Sequence, residues 1–82
     1  MLIIEVYAPV IGNVYDFKID ENASIIDLKE EICVMICQKE QYRIAEHMDE
    51  LMLFSSDKQI ILRDDLSAAE NGIMNCERLI LV

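Results

Sequence analysis

The residues able to do chemistry are few: Cys33, Cys37, Cys76, the single His47, and carboxylates gathered at Glu46, Asp49 and Glu50 and at Asp64 and Asp65. Cys33 and Cys37 stand four apart, so a helix would put both thiols on one face. A zinc site would need more ligands, and only His47 and Cys76 are on offer, at separations that match no zinc spacing. A disulfide within one helical turn would strain the backbone, and an odd thiol count without a mark of export points to reduced cysteines. His47 could act as base to a cysteine, yet no orienting motif or oxyanion-hole signature accompanies it. Its acidic neighbours mark a solvated surface, and neither carboxylate group resembles a calcium loop. The residues thus predict no catalytic centre, no metal and no cofactor.

Composition narrows the partners. Seven basic and sixteen acidic residues in 82 give a net charge of −9, which repels nucleic acid and anionic lipid surfaces. Hydrophobic residues make up 54% with a mean hydropathy of +0.23, a surplus for so short a chain that predicts apolar side chains on the surface and a protein partner for them. The N-terminal run MLIIEVYA lacks the basic leader and cleavage site of a signal peptide, and no stretch reaches the roughly 18 apolar residues of a membrane span. A cytoplasmic protein is expected.

The elements that must position any site follow from periodicity. Ala23 to Lys39 predicts the main helix: Ser24 caps it, Asp27 takes the capping-box position, and Ile25, Leu28, Ile32, Met35 and Ile36 make one apolar stripe. Lys29, Glu30 and Glu31 are assigned to solvent. Leu2 to Ala8 reads as a strand whose register is chosen by Glu5, with Leu2, Ile4 and Val6 inward and Ile3, Glu5 and Tyr7 outward. After a turn over Pro9 to Asn13, Val14 to Ile19 alternates Tyr15, Phe17 and Ile19 with Asp16 and Lys18, completing a hairpin. Residues 40–50 read as a loop with a short second helical turn, or as an extension of the helix. Leu51 to Phe54, Gln59 to Leu62 and Glu77 to Val82 are the remaining strands; between the last two lies a loop with one helical turn, ended by Asn71-Gly72. A final strand so apolar belongs between others. Placing it beside the first gives a single α+β domain over residues 1–82, a mixed sheet of four to five strands with one main helix across one face.

In that register Ile3, Leu53, Ile80 and Val82 face away from the helix as an aliphatic patch ringed by Glu5 and Arg78. They are the candidate partner-binding residues, for another protein or for a second copy of the chain.

This order of elements resembles the ubiquitin-like β-grasp over nearly the whole chain. The resemblance is carried by the hairpin with Tyr15, Phe17 and Ile19, the helix opening at Ser24 with Ile25, Leu28 and Ile32, and the Leu66-Ser67 turn leading through Gly72-Ile73 to Glu77-Arg78-Leu79-Ile80-Leu81. Within that fold the chain is similar to the YukD/EsaB group, which accompanies the type VII (WXG100) secretion machinery of Gram-positive bacteria. The similar stretches are VYDFKI at 14–19 and LSAAENGIMNCERLILV at 66–82, where members tend to show L-S-x-x-G-I-x-x-G-D-R-L. Asn75-Cys76-Glu77 stands where Asn-Gly-Asp is usual, so Cys76 is expected to accept a positive φ; the segment between helix and third strand is also longer. The resemblance implies a non-enzymatic ubiquitin-like interaction module, an accessory or regulatory component of type VII secretion whose partners belong to that machinery. The region matching ubiquitin's receptor-binding surface is the outward sheet face. The alternative is a modifier or sulfur-carrier relative that lacks, or has lost, its Gly-Gly tail, because this sequence closes on Leu79-Ile80-Leu81-Val82 inside a strand.

Overall fold

The computed structural model of the chain describes residues 1–9, 11–40 and 51–82. His47 and the helical turn expected within 40–50 lie outside the described residues.

β1 (Leu2–Ala8) and β2 (Asn13–Ile19) form the expected antiparallel hairpin. The Ile11 and Gly12 N–H groups both donate to the Ala8 carbonyl, at 3.1 and 2.8 Å, and Gly12 sits at φ 80°. That left-handed backbone is open to glycine without steric cost, and it lets the chain reverse within the four residues between the paired Ala8 and Asn13. Ile4, Val6 and Ala8 of β1 and Tyr15, Phe17 and Ile19 of β2 are buried on one face, with Leu2 packed against them.

The helix α1 (Ile25–Glu40) covers this face. Ser24 caps it as expected: the Asp27 N–H donates to Ser24 Oγ at 3.4 Å and the Leu28 N–H to the Ser24 carbonyl at 3.0 Å. The first N–H groups of a helix have no partner within it. Here Ile25 and Ile26 donate to the carbonyls of Leu66 and Asp64, at 2.9 and 3.2 Å, so the 63–72 loop docks on the helix start. Ile25, Leu28, Ile32 and Ile36 are buried as their spacing predicts. Met35 is not; it is 41% exposed, and Cys33 is buried instead. Both residues flank the stripe, and the helix is rolled so that the flank holding Lys29 and Cys33 is covered.

β3 (Leu53–Ser55), β4 (Ile60–Ile61) and β5 (Arg78–Leu81) complete a five-stranded sheet in the order β2-β1-β5-β3-β4. β5 runs parallel to β1 and antiparallel to β3, so the last strand is central, as its apolar character requires. Beyond β4 the chain makes the expected helical turn, with Asn71 N–H on the Ser67 carbonyl and Gly72 at φ 78° closing it. Among the described residues no helix is long and apolar enough to cross a membrane.

The assignment of Lys29 to solvent is corrected by the structure. Its side chain is 1% exposed, and Nζ donates to the Leu51 carbonyl at 2.9 Å and to Asp64 Oδ2 at 2.8 Å. A buried ammonium is tolerated where hydrogen bonds and a counter-charge replace its water. Lys29 therefore ties the helix to the segment before β3 and to the loop after β4. Lys29→Met is expected to cost about 1–3 kcal/mol, since one carbonyl loses its donor while Asp64 stays in contact with water. Asp64→Ala is expected to cost about 3 kcal/mol or more, because it strands a buried cation. Urea unfolding of the two variants measures the order, and the reverse order contradicts this account.

Candidate interaction surface

The face of the sheet away from α1 is built by strand parity. Each inward residue of β1, β2, β3 and β5 is followed by an outward one, and the pairing registers set which outward residues meet. Tyr7 lies opposite Val14 on one side and Ile80 on the other; Ile80 lies opposite Phe54, and Phe54 opposite Ile61. Val14, Tyr7, Ile80, Phe54 and Ile61 thus form one apolar row across all five strands. Val14 and Ile61 are 48% and 55% exposed at its ends, while Tyr7, Ile80 and Phe54 are half-buried at its centre. Val82 and Met52 extend the row along β5 and β3, facing each other through reciprocal hydrogen bonds of 2.6 and 2.9 Å.

Of the four residues expected on this face, Ile80 and Val82 belong to the row. Ile3 is exposed on the same face, but the paired residues Glu5 and Arg78 lie between it and the row. Arg78 Nε donates to Glu5 Oε1 at 2.6 Å, and the pair closes the patch on that side as the sequence suggested. Leu53 is a correction. It is 1% exposed and pairs with Leu81 on the helix side of the sheet. The strand begins two residues later than its apolar run, and its outward residue is Phe54, which periodicity did not single out.

The parity of β3 is held by a polar cluster that sequence reading missed. Ser55 faces inward and is buried. Its Oγ donates to Glu77 Oε2 at 2.6 Å and accepts from the Lys58 N–H at 3.3 Å. Glu77, itself 4% exposed, also accepts from Lys58 Nζ and from the Met74 N–H. Burial alone would push the Glu77 carboxyl up; the hydrogen bonds from Lys58, Ser55 and Met74, with the Lys58 charge, hold it below the usual glutamate value. The cluster pins the β3–β4 turn to the start of β5, and so keeps Phe54 beside Ile80. A glutamate opening a strand beside a serine and a lysine from one turn was the available signal, but only tertiary pairing distinguishes it from a surface charge.

The thiols separate by environment. Cys33 is buried, Cys37 half-buried and Cys76 exposed. Burial, and then the neighbouring Cys37, push the Cys33 thiol up against the pull of Lys29. Cys76 sits at φ 66°, the positive φ expected of it, with its N–H on the Ile3 carbonyl at 2.6 Å. Among the described residues no group of three or more His, Cys, Asp or Glu side chains is placed to hold a metal ion. On the helix side, Asp27, Glu30 and Glu31 flank Val34 and Met35 in an open acidic depression. What the outer sheet face offers a ligand is apolar area with a charged margin, a surface suited to binding.

No protein-family model matches the sequence, and no curated protein matches it. Solved structures do resemble the fold. The N-terminal ubiquitin-like domain in the 4931431F19Rik protein superposes with a TM-score of 0.70 at 21% identity, covering 99% of this chain and 72% of that one. The ubiquitin-like domain of the Arabidopsis thaliana protein At2g32350 superposes with a TM-score of 0.75 at 18% identity, covering 99% and 74%. The fold is the ubiquitin-like β-grasp, with one helix across a mixed five-stranded sheet.

Two outcomes follow from these environments. Because the Glu77 carboxyl is held low in the folded chain, its stabilising effect is complete above the unfolded glutamate value of about 4.3 and is lost as pH falls from there through the folded value. Glu77→Gln should cost about 1–3 kcal/mol at neutral pH and flatten the acid limb of stability against pH; an unchanged limb would exclude the cluster as its source. Iodoacetamide should label Cys76 in the native chain, Cys37 more slowly, and Cys33 only on unfolding, as read by mass spectrometry.

Proposed function

We propose that the chain is a non-enzymatic protein-interaction module that docks a partner through the outer sheet face, as a cytoplasmic accessory of bacterial type VII secretion. The observation that carries the docking is the uninterrupted row from Val14 to Ile61 with Val82 and Met52 beside it. A sheet face with no structural need for apolar residues is normally polar. The secretion setting rests on the sequence resemblance at 14–19 and 66–82. It is supported by Cys76 at φ 66°, where members of that group tend to carry glycine.

The energetics favour a modest complex. Covering Ile80, Phe54 and Val82 contributes roughly 1.5–3 kcal/mol per side chain, against about 4–15 kcal/mol of lost freedom on association. A stable complex needs further contacts at the margin, where Glu5, Arg78 and Asp16 stand. Docking is a binding equilibrium without turnover.

The test uses purified candidates, a WXG100 substrate and the cytoplasmic part of the secretion membrane ATPase, in titration calorimetry. Wild-type chain should bind at least one of them, and Ile80→Glu should weaken that binding about tenfold or more while circular dichroism and the melting temperature stay close to wild type. No binding to either sinks the secretion setting. Binding unchanged by Ile80→Glu sinks the face, and unfolding of the variant shows Ile80 to be core.

A further inference from the structure

β2 is the long edge of the sheet. It runs seven residues, and among the described residues no strand lies beside it on the side away from β1. The Glu5 N–H donates to the Glu77 carbonyl, so Ile3, Glu5 and Tyr7 turn their backbone groups toward β5, and Leu2, Ile4, Val6 and Ala8 turn theirs toward β2. Their partners Tyr15, Phe17 and Ile19 use their N–H and C=O groups on β1. The N–H and C=O groups of Val14, Asp16 and Lys18 therefore project from the open edge.

The side chains of those same residues are unusual for their position. Asp16 lies directly opposite Glu5, a like-charge pair that weakens a sheet, and Arg78 is committed to Glu5. Among the described residues Asp16, which is exposed, has no cation in contact, and Lys18, exposed two residues on and opposite Ile3, has no carboxylate in contact. Each lacks what the other carries, on the same outer face and the same edge.

We propose that the β2 edge is a self-association site, at which two copies pair antiparallel about a two-fold axis beside Phe17, setting Asp16 of each copy opposite Lys18 of the other. The charge pattern selects this register. A two-fold centred on Asp16 would set Asp16 against Asp16, and one centred on Lys18 would set Lys18 against Lys18; the centre at Phe17 gives two opposite-charge pairs inside β2. A centre at Ile19 reaches an opposite charge, Asp20, only past the end of the strand, where the Asp20 carbonyl is already taken by the Ala23 N–H. In that register the outward N–H and C=O groups of Asp16 and Lys18 close a ladder of four hydrogen bonds across the axis, joining two five-stranded sheets into one. Two chains of charge −9 repel at long range, but at physiological ionic strength that repulsion is screened beyond about 8 Å, while the pairs at the edge are in contact. The site is separate from the apolar row, which stays open on the resulting sheet.

Sedimentation equilibrium over about 10 μM to 1 mM at physiological ionic strength is expected to show a monomer–dimer equilibrium for the wild-type chain. Asp16→Lys and Lys18→Asp should each weaken it about tenfold or more, and the double variant carrying both changes should restore it to within about threefold, since two repulsive pairs become attractive again. Ile80→Glu should leave it unchanged. Amide exchange at Asp16 and Lys18 should slow as concentration rises. A wild-type chain that stays monomeric, single reversals without effect, a double variant that fails to recover, or self-association lost in Ile80→Glu would each overturn the proposal. Both charged side chains are exposed, and circular dichroism checks that every variant compared is folded.

Discussion

A single buried ammonium sets the relation between the helix and the half of the sheet that follows it. Lys29 reaches two acceptors, the Leu51 carbonyl and the Asp64 carboxylate, and burial of its charge is tolerable only while both are in place. That requirement brings three distant segments to one point. Asp64 is held there twice, because its carbonyl also takes the Ile26 N–H at the helix start. Leu51 is held two residues before Leu53, and in an extended chain positions two apart share a face. Fixing Leu51 against the core thus turns Leu53 inward and Phe54 outward. The composition of the outer face is decided, in this sense, by a contact made on the opposite face.

How much of this was legible in the sequence depended on whether a polar residue marked the parity. In β1, Glu5 does so, and the register it selects turns Ile4 and Val6 inward, where both are buried. In β2, Asp16 and Lys18 marked the outer side. Leu51 to Phe54 carries no such mark, since four apolar residues in succession alternate nothing, and the first polar residue after them, Ser55, faces inward. Its burial depends on Glu77, which lies 22 positions away. The burial of Lys29 is hidden from the sequence for the same reason: its acceptors lie 22 and 35 positions distant, and a lysine on a helix defaults to water. Met35 and Cys33 both border the stripe, and which of them is covered depends on how the helix rolls over the sheet. The order and type of the elements were local properties and were readable. The apolar row was not, because it exists only once strands from both ends of the chain are aligned.

The apolar surplus noted in the composition is divided by the fold. One layer of helix and one face of sheet absorb Ile4, Val6, Phe17, Leu28, Ile32, Ile36, Leu79 and Leu81. Among the described residues no second layer covers the other sheet face, and Tyr7, Ile80 and Phe54 are half-buried there. The net charge of −9 offsets this for solubility. The charges on the sheet itself are placed where they interfere least with the row: Glu5 and Arg78 neutralise each other at its margin, and Asp16 and Lys18 stand toward the edge.

The alignment of that row rests finally on the turn before β5. Cys76 takes a φ of 66°, a left-handed conformation that costs a non-glycine residue roughly 1–2 kcal/mol. The turn offsets this with contacts on both sides: Cys76 N–H to the Ile3 carbonyl, Ile3 N–H to Asn75 Oδ1 at 2.9 Å, and Met74 N–H to Glu77 Oε1 at 3.0 Å. Together they bind the start of β5 to the start of β1. Parallel strands have no hairpin to set their register, so these contacts must do it. Once Cys76 is held to Ile3, Glu5 falls opposite Arg78 and Tyr7 opposite Ile80. A shift of one residue at this turn would bring Leu79 and Leu81 into water and Ile80 into the core. The strained residue is therefore the point at which the chain commits one set of side chains to packing and leaves the other set available to a partner.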